Sequence, residues 1–247
     1  MKKTFVQCAL PYILVLLGLV LVLTIFFTSR SDSIVGFSTT QSLGHVVVID
    51  AGHGGLDGGA VSISGMLESG INLEIAKKTD ALMRFLGYNT VMLRDTDSSL
   101  HDPSAATIAA KKRSDLNNRV KLVGAIPNAV LISIHQNFFQ QSQYHGAQIF
   151  WNNVGAAQGF AEVAQEKFLT LDPDNRRAAK PVGNVFLMTH VKCPAILAEC
   201  GFLSNAGDEK NLTDASYQIK VAAVLTASFV QWEMTDSGKA QNPVLLR

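Results

Sequence analysis

Cysteine is scarce in this sequence. The 247 residues hold three, Cys8, Cys193 and Cys200, in neither a C-x-x-C pair nor a regular framework. That excludes a disulfide scaffold and a thiolate zinc knuckle, and leaves Cys193 and Cys200 as small buried hydrophobes near one strand. Net charge is equally scarce. Twenty-one Lys and Arg against 20 Asp and Glu leave +1, so no basic field exists to hold a nucleic acid, which is excluded as a partner. H-E-x-x-H, G-x-S-x-G and the Walker glycine-lysine pair are all absent, and with them the zincin, serine-hydrolase and P-loop readings. Cys200 adjoins Glu199, but no histidine is placed by sequence to activate it as a nucleophile. There is no internal repeat.

What the chain does have is apolar bulk, 47% of its residues, enough for one full-sized domain with little room for a second. Lys2 and Lys3 precede an uncharged run from Cys8 to Thr28, closed by Arg30 and Asp32. Its length is that of a membrane-spanning helix, so residues 1–30 are expected to form an uncleaved signal anchor. The positive-inside rule then puts the rest of the chain on the outer side of the cytoplasmic membrane, or in the equivalent intermembrane space; cleavage would make it secreted. Residues 31–44, rich in Ser, Thr and Gly, suit a flexible tether. A single folded domain is expected over 45–234 and a loose tail over 235–247.

Within the domain, His45 to Asp50 (H-V-V-V-I-D) reads as a strand buried on both faces, running into a loop with five glycines between 52 and 59. Ile71, Ile75, Leu82 and Phe85 fall on one helical face of Glu68–Leu86, and Gly87 stops that helix. Further strands are expected over 89–93, 129–134, 147–151, 185–188 and 195–198, and helices over 114–123, 156–171 and 215–234. This alternation predicts a single α/β domain, with a mostly parallel twisted sheet of about six strands covered by helices on both faces.

In such sheets reactive groups collect beyond the carboxyl ends of the strands. Three strands end in D-A-G-H-G-G (50–55), S-I-H-Q-N (133–137) and A-E-C-G-F (198–202). His53, hemmed by glycines, can be approached closely by an ion, although an exposed turn histidine would look the same. His135 closes a buried run and needs a partner, either a metal or a carbonyl. Two imidazoles and one carboxylate make a three-ligand site with an open position, as catalytic zinc requires. Glu68, at the start of the first long helix, is the better third ligand, yet spacing does not exclude Asp57. Asp50 suits a residue that orients His53 or another ligand. Glu199 follows an apolar strand, where desolvation raises a carboxyl pKa toward that of a general base; the plainer reading pairs it with a lysine. Arg176, Arg177 and Lys180 form a basic loop that could meet substrate carboxylates or simply be solvated. Asn137 and Asn184 are candidate donors to a substrate, and Asn137 could equally hold its own loop. Arg119 is expected to bridge helix and sheet.

The segments D-A-G-H-G-G-x-D-G-G-A (50–60), G-M-L-E (65–68), S-I-H-Q-N (133–137) and A-E-C-G-F-L-S-N (198–205) together resemble the zinc-dependent N-acetylmuramoyl-L-alanine amidases of the cell-wall hydrolase type. The resemblance runs from His45 to about Met234. It implies one Zn2+ held by His53, Glu68 and His135, with Glu199 as the catalytic glutamate. It also implies peptidoglycan strands with their stem peptides as substrate. Ala51, where proline is usual, and Cys200, where a small or β-branched residue is common, depart from the pattern without touching a reacting group. K-K-R-S-D-L-x-N-R (111–119), R-R-A-A-K-P (176–181) and N-V-F-L (184–187) resemble the spore-cortex, germination-linked members. These free selected muramic acids of peptide for conversion to muramic δ-lactam, and some act with an activating lipoprotein partner. Rival readings are a non-catalytic peptidoglycan-binding scaffold with a structural zinc, and a zinc peptidase cutting within the stem peptide.

Overall fold

The computed structural model describes residues 44–235; the expected anchor, the tether up to residue 43 and the tail beyond Thr235 lie outside them. Among the described residues no helix is long and apolar enough to cross a membrane. Six strands form one sheet: β1 (Val46–Ala51), β2 (Thr90–Met92), β3 (Ala129–Asn137), β4 (Gln148–Trp151), β5 (Lys180–Pro181) and β6 (Ala195–Phe202), in the order β2-β1-β3-β6-β4-β5. All neighbours are parallel except β4 against β6. The helices are α1 (Glu68–Phe85), α2 (Ile108–Gly124), α3 (Ala157–Leu169), α4 (Phe186–His190), α5 (Ala206–Leu212) and α6 (Ala215–Met234).

Because side chains alternate across a strand, the central strands serve two cores. Val47, Ile49, Val130, Ile132 and Ile196 face α1, α3 and α6, where Phe160, Phe168, Phe229 and Trp232 are at most 1% exposed. Each such side chain contributes about 1.5–3 kcal/mol by leaving water. Val48, Leu131 and Leu197 face a thinner cover built from α2 and the five-residue α4. At the entry to β1, His45 Nδ1 lies 2.6 Å from Glu233 Oε2 and its ring packs against Trp232, which pins the start of the domain to the end of α6.

Four local expectations need correction. Residues 186–188 are helical, not extended: Val185, itself extended, is the N-cap of α4, and Leu187 and Met188 bury into the thin core. The sixth strand is instead Lys180–Pro181, too short to leave a periodic signal. Helix α2 begins at Ile108 rather than near Ser114, because the Thr107 side chain accepts from Ala110 N at 3.1 Å. A further helix, α5, is capped by Asn205, whose Oδ1 accepts from Gly207 N and Asp208 N.

Candidate metal centre

β1, β3 and β6 run parallel, with Ala51 opposite Ile134 and His135 opposite Glu199, so their carboxyl ends share one rim. His53 follows β1 in a left-handed backbone conformation (φ 62°), unusual for a non-glycine residue and of the kind concentrated at functional sites. Two glycines make room there. A Cβ on Gly52 would stand 2.2 Å from the His135 ring, and one on Gly59 (φ +69°) 2.5 Å from Glu68 Oε2.

Glu68 begins α1, whose first turn is fixed by backbone: Glu68 N donates to Ala60 O at 2.9 Å and Ser69 N to Gly58 O at 3.0 Å. The glycine loop thus sets where this carboxylate points. Its Oε2 accepts from Ala60 N at 2.9 Å, and its Oε1 accepts from Gln136 N at 3.1 Å and Asn72 Nδ2 at 3.2 Å. His53 Nε2 lies 3.3 Å from Oε2, and His135 Nδ1 3.1 Å from Oε1. One donor atom from each of His53, Glu68 and His135 falls within 4.8 Å of the others. Asp57 sits elsewhere: its Oδ2 is 3.1 Å from Nδ1 of His53, the opposite ring nitrogen, and its Oδ1 is 3.0 Å from Lys112 Nζ. Geometry therefore groups Glu68 with the two histidines, and makes Asp57 the acceptor that orients the His53 ring.

The electrostatics suit a cation. Burial alone would lower the His53 pKa, but the hydrogen bond and charge of Glu68, and then those of Asp57, raise it to about 9. Burial would likewise raise Glu68, but His135 and His53 hold it well below the usual carboxylate range. A divalent ion can replace the protons that these groups otherwise share, and the two imidazoles with one carboxylate are a donor set that zinc accepts. Glu199 behaves oppositely. Burial, reinforced by the negative charge of Glu68 against the lowering effect of His135, pushes it up to about 7. Its Oε2 is buried without a hydrogen-bond partner, and no ion pair joins it to a lysine among the described residues. A carboxylate held this way is a proton acceptor in waiting.

Asp50 is nearly buried but makes no hydrogen bond to either imidazole among the described residues. It pairs with Arg119 Nη1 and accepts from Ser133 Oγ at 2.7 Å. Arg119 in turn donates to Ala51 O at 3.0 Å and to His53 O at 2.7 Å. Asp50 therefore acts on His53 through Arg119, which bridges α2 and the sheet as expected. Asn137 holds its own loop, with Oδ1 accepting from Phe138 N at 2.8 Å. The basic loop is largely engaged by the protein itself: Arg176 donates to Pro173 O and Asn175 O, and Arg177 to His145 O and Gln148 Oε1 while its guanidinium lies 4.5 Å from the Phe202 ring centroid. Lys180, in β5, and Asn184 are exposed.

Sequence reasoning missed three supporting residues. Asn72 Nδ2 holds Gly52 O at 3.2 Å as well as Glu68, and Gln136 Nε2 donates to Asn72 Oδ1 at 3.1 Å. Arg94, buried after β2, donates to Ala51 O, Gly52 O and Ser69 O at 2.8–2.9 Å. The spacing of Asn72, one turn after Glu68, was the available signal. A second His-carboxylate group, His145, Asp172 and Asp208, also lies within 4.8 Å, but Asp208 Oδ2 already accepts from Gly146 N and Phe202 N.

Comparison with known proteins identifies the family. A family profile described as N-acetylmuramoyl-L-alanine amidase matches residues 47–229. The germination-specific N-acetylmuramoyl-L-alanine amidase of Bacillus subtilis (strain 168) is 32% identical, over 93% of this chain and 97% of that protein. Among solved structures, the CwlD amidase from Clostridioides difficile, in complex with the GerS lipoprotein, superposes with a TM-score of 0.73 at 33% identity, covering 76% of this chain and 98% of that one. The catalytic domain of CwlV, an amidase from Bacillus (Paenibacillus) polymyxa var. colistinus, gives 0.65 at 30% identity, covering 76% and 97%. A profile spanning nearly the whole described domain and a relative similar from end to end place the chain in the N-acetylmuramoyl-L-alanine amidase family.

Proposed function

We propose that this amidase is zinc-dependent, that His53, Glu68 and His135 hold the ion, and that Glu199 is its general base. The observation that carries the reading is the convergence of those three donors beside a strand-paired glutamate with an unpartnered oxygen. Bound zinc supplies Lewis acidity, polarising the lactyl carbonyl of N-acetylmuramic acid and acidifying a water. Glu199 takes the proton of the attacking water at its carboxylate and returns it to the departing L-alanine nitrogen. Its elevated pKa suits both transfers. Asp57 and the backbone contacts of Arg119 hold the His53 ring and its loop in place.

The biological setting in this reading is the spore cortex, where removing the peptide prepares selected muramic residues for δ-lactam formation. The similarity to a germination-specific amidase supports it. A lipoprotein partner belongs to the same reading, by analogy with the complex formed by the C. difficile protein. The uncharged run Cys8–Thr28 after Lys2 and Lys3 supports a membrane anchor, with the domain on the outer side.

The test is digestion of purified cortex-type and vegetative peptidoglycan, with and without added zinc and a lipoprotein partner, read by mass spectrometry. Intact stem peptides with a free L-alanine amine, released in a zinc-dependent manner, are expected. Fragments cut within the stem would establish a peptidase instead. Zinc binding without any release would establish a scaffold.

A further inference from the structure

Between α2 and the segment leading into α4, the thin cover of the sheet leaves a cleft of about 200 Å³. Ser133, His135 and Leu197 floor it, and its inner end opens on His53. Its walls are mainly apolar: Ile108 and Leu116 from α2 face Val185 and Leu187 from the other side. Ile108 is 68% and Val185 38% exposed, a high cost for a surface with no occupant.

One cation reaches this cleft uncommitted. Lys112 pairs with Asp57 at 3.0 Å. Asp115, one turn beyond Lys111, is spent on Arg119 Nε at 2.7 Å, Leu100 N at 2.6 Å and Ser99 Oγ at 3.0 Å. Lys111 lines the cleft half-buried, and among the described residues it has no carboxylate partner. An ammonium group against apolar walls attracts an anion more strongly than one in open water. A peptide whose small apolar side chains meet these walls and whose carboxylate meets Lys111 complements both features, whereas a neutral sugar offers neither.

We propose that this cleft is the stem-peptide subsite and that Lys111 selects stems bearing a free carboxylate over those in which it is a carboxamide. The inference rests on the amidase reading above. The sequence pattern offers Arg176, Arg177 and Lys180 for such a carboxylate, but none of the three lines this cleft, and Arg176 and Arg177 donate to backbone carbonyls.

The experiment uses the zinc-loaded full chain and two sets of tripeptide-bearing glycan fragments that differ only in carboxylate or carboxamide. Wild type is expected to favour the carboxylate form about tenfold in kcat/KM, through KM. Lys111→Gln should bring the ratio to about one, and Lys111→Arg should restore it. In parallel, binding of the two free tripeptides is measured by calorimetry, with the same tenfold discrimination expected and lost in Lys111→Gln. Equal treatment of both forms by wild type, in turnover and in binding, overturns the subsite. Discrimination in binding with no turnover of any fragment upholds the subsite and overturns the amidase reading.

Discussion

The two faces of the sheet are built on different terms. On the face toward α1, α3 and α6, aromatic and branched side chains form a dry core in which rings pack on one another: Phe160 stacks on Trp232 at 5.1 Å, and Phe229 meets the half-buried Tyr88 edge to face at 5.2 Å. On the face toward α2 and α4, polar and charged groups are buried: Asp50, Arg119 and Ser133 lie under the cleft, and Glu199 projects with one oxygen unpartnered. The first face mainly holds the fold, and the second, joined at the rim by Glu68 from the start of α1, carries the proposed chemistry. The strands are shared, so a substitution should register in stability or in activity according to the direction in which its side chain points.

The largest effect is expected on the chemical face. Glu199→Gln keeps the shape but removes the proton acceptor, so turnover should fall about 10²–10⁴-fold. Zinc content should be retained and thermal stability should not fall, because no buried charge is left alone. Release of stem peptide at near wild-type rate would end the assignment and the contrast with it. The reciprocal experiment is Phe229→Ala. Truncating a ring with no exposure should cost about 3–5 kcal/mol, while the specific activity of the protein still folded at low temperature stays close to wild type. A drop in kcat at a temperature where the variant is fully folded would show that the faces are not separable.

Arg119 probes the boundary. Removing it as Arg119→Met strands Asp50 as a buried carboxylate, and should cost about 3 kcal/mol. It also frees the His53 carbonyl, so zinc affinity should fall. The double variant Asp50→Asn with Arg119→Met should regain stability without regaining zinc affinity, as read by chemical denaturation and metal titration. pH sharpens this. Burial would raise Asp50, but Arg119, then His135 and Ser133, hold it below its unfolded value of 3.8. The pair's contribution is therefore complete above that value and fades as pH falls through the lower folded one. Acid titration of Arg119→Met should lack this limb of stability loss.

The sheet and most of the rim were legible because buried strands leave long β-branched runs, and His53, His135 and Glu199 each stand where such a run stops. Glu68 was not separable from Asp57 by spacing, since both can reach His53; only the fold shows that they meet different nitrogens of one ring. Residues 185–188 misled for a related reason: a short apolar run has no period long enough to tell a strand from a helical turn. The polar helix α5 carries no apolar stripe to announce it. The cleft cation was hidden by composition. Arg176 and Arg177 make the more conspicuous basic cluster, but the sequence does not show which guanidinium groups are already occupied.

The smallest predicted effect tests whether a stability change confined to the thin cover can reach the chemistry. Thr107→Ala removes the side-chain oxygen that accepts from Ala110 N, and should cost about 1 kcal/mol. The loss falls in the first turn of α2, which carries Ile108 and Lys111 into the cleft. Fraying there leaves His53, Glu68, His135 and Glu199 where they are, so zinc affinity should not change while KM for peptide-bearing glycan rises about two- to threefold, in keeping with a shift of under 1 kcal/mol. Thr107→Ser keeps the cap and should behave as wild type on both counts. If KM rises equally in the serine variant, the methyl group rather than the cap matters. If KM does not move in either, the first turn of α2 lies outside the substrate's reach, and the thin cover serves the fold as the thick one does.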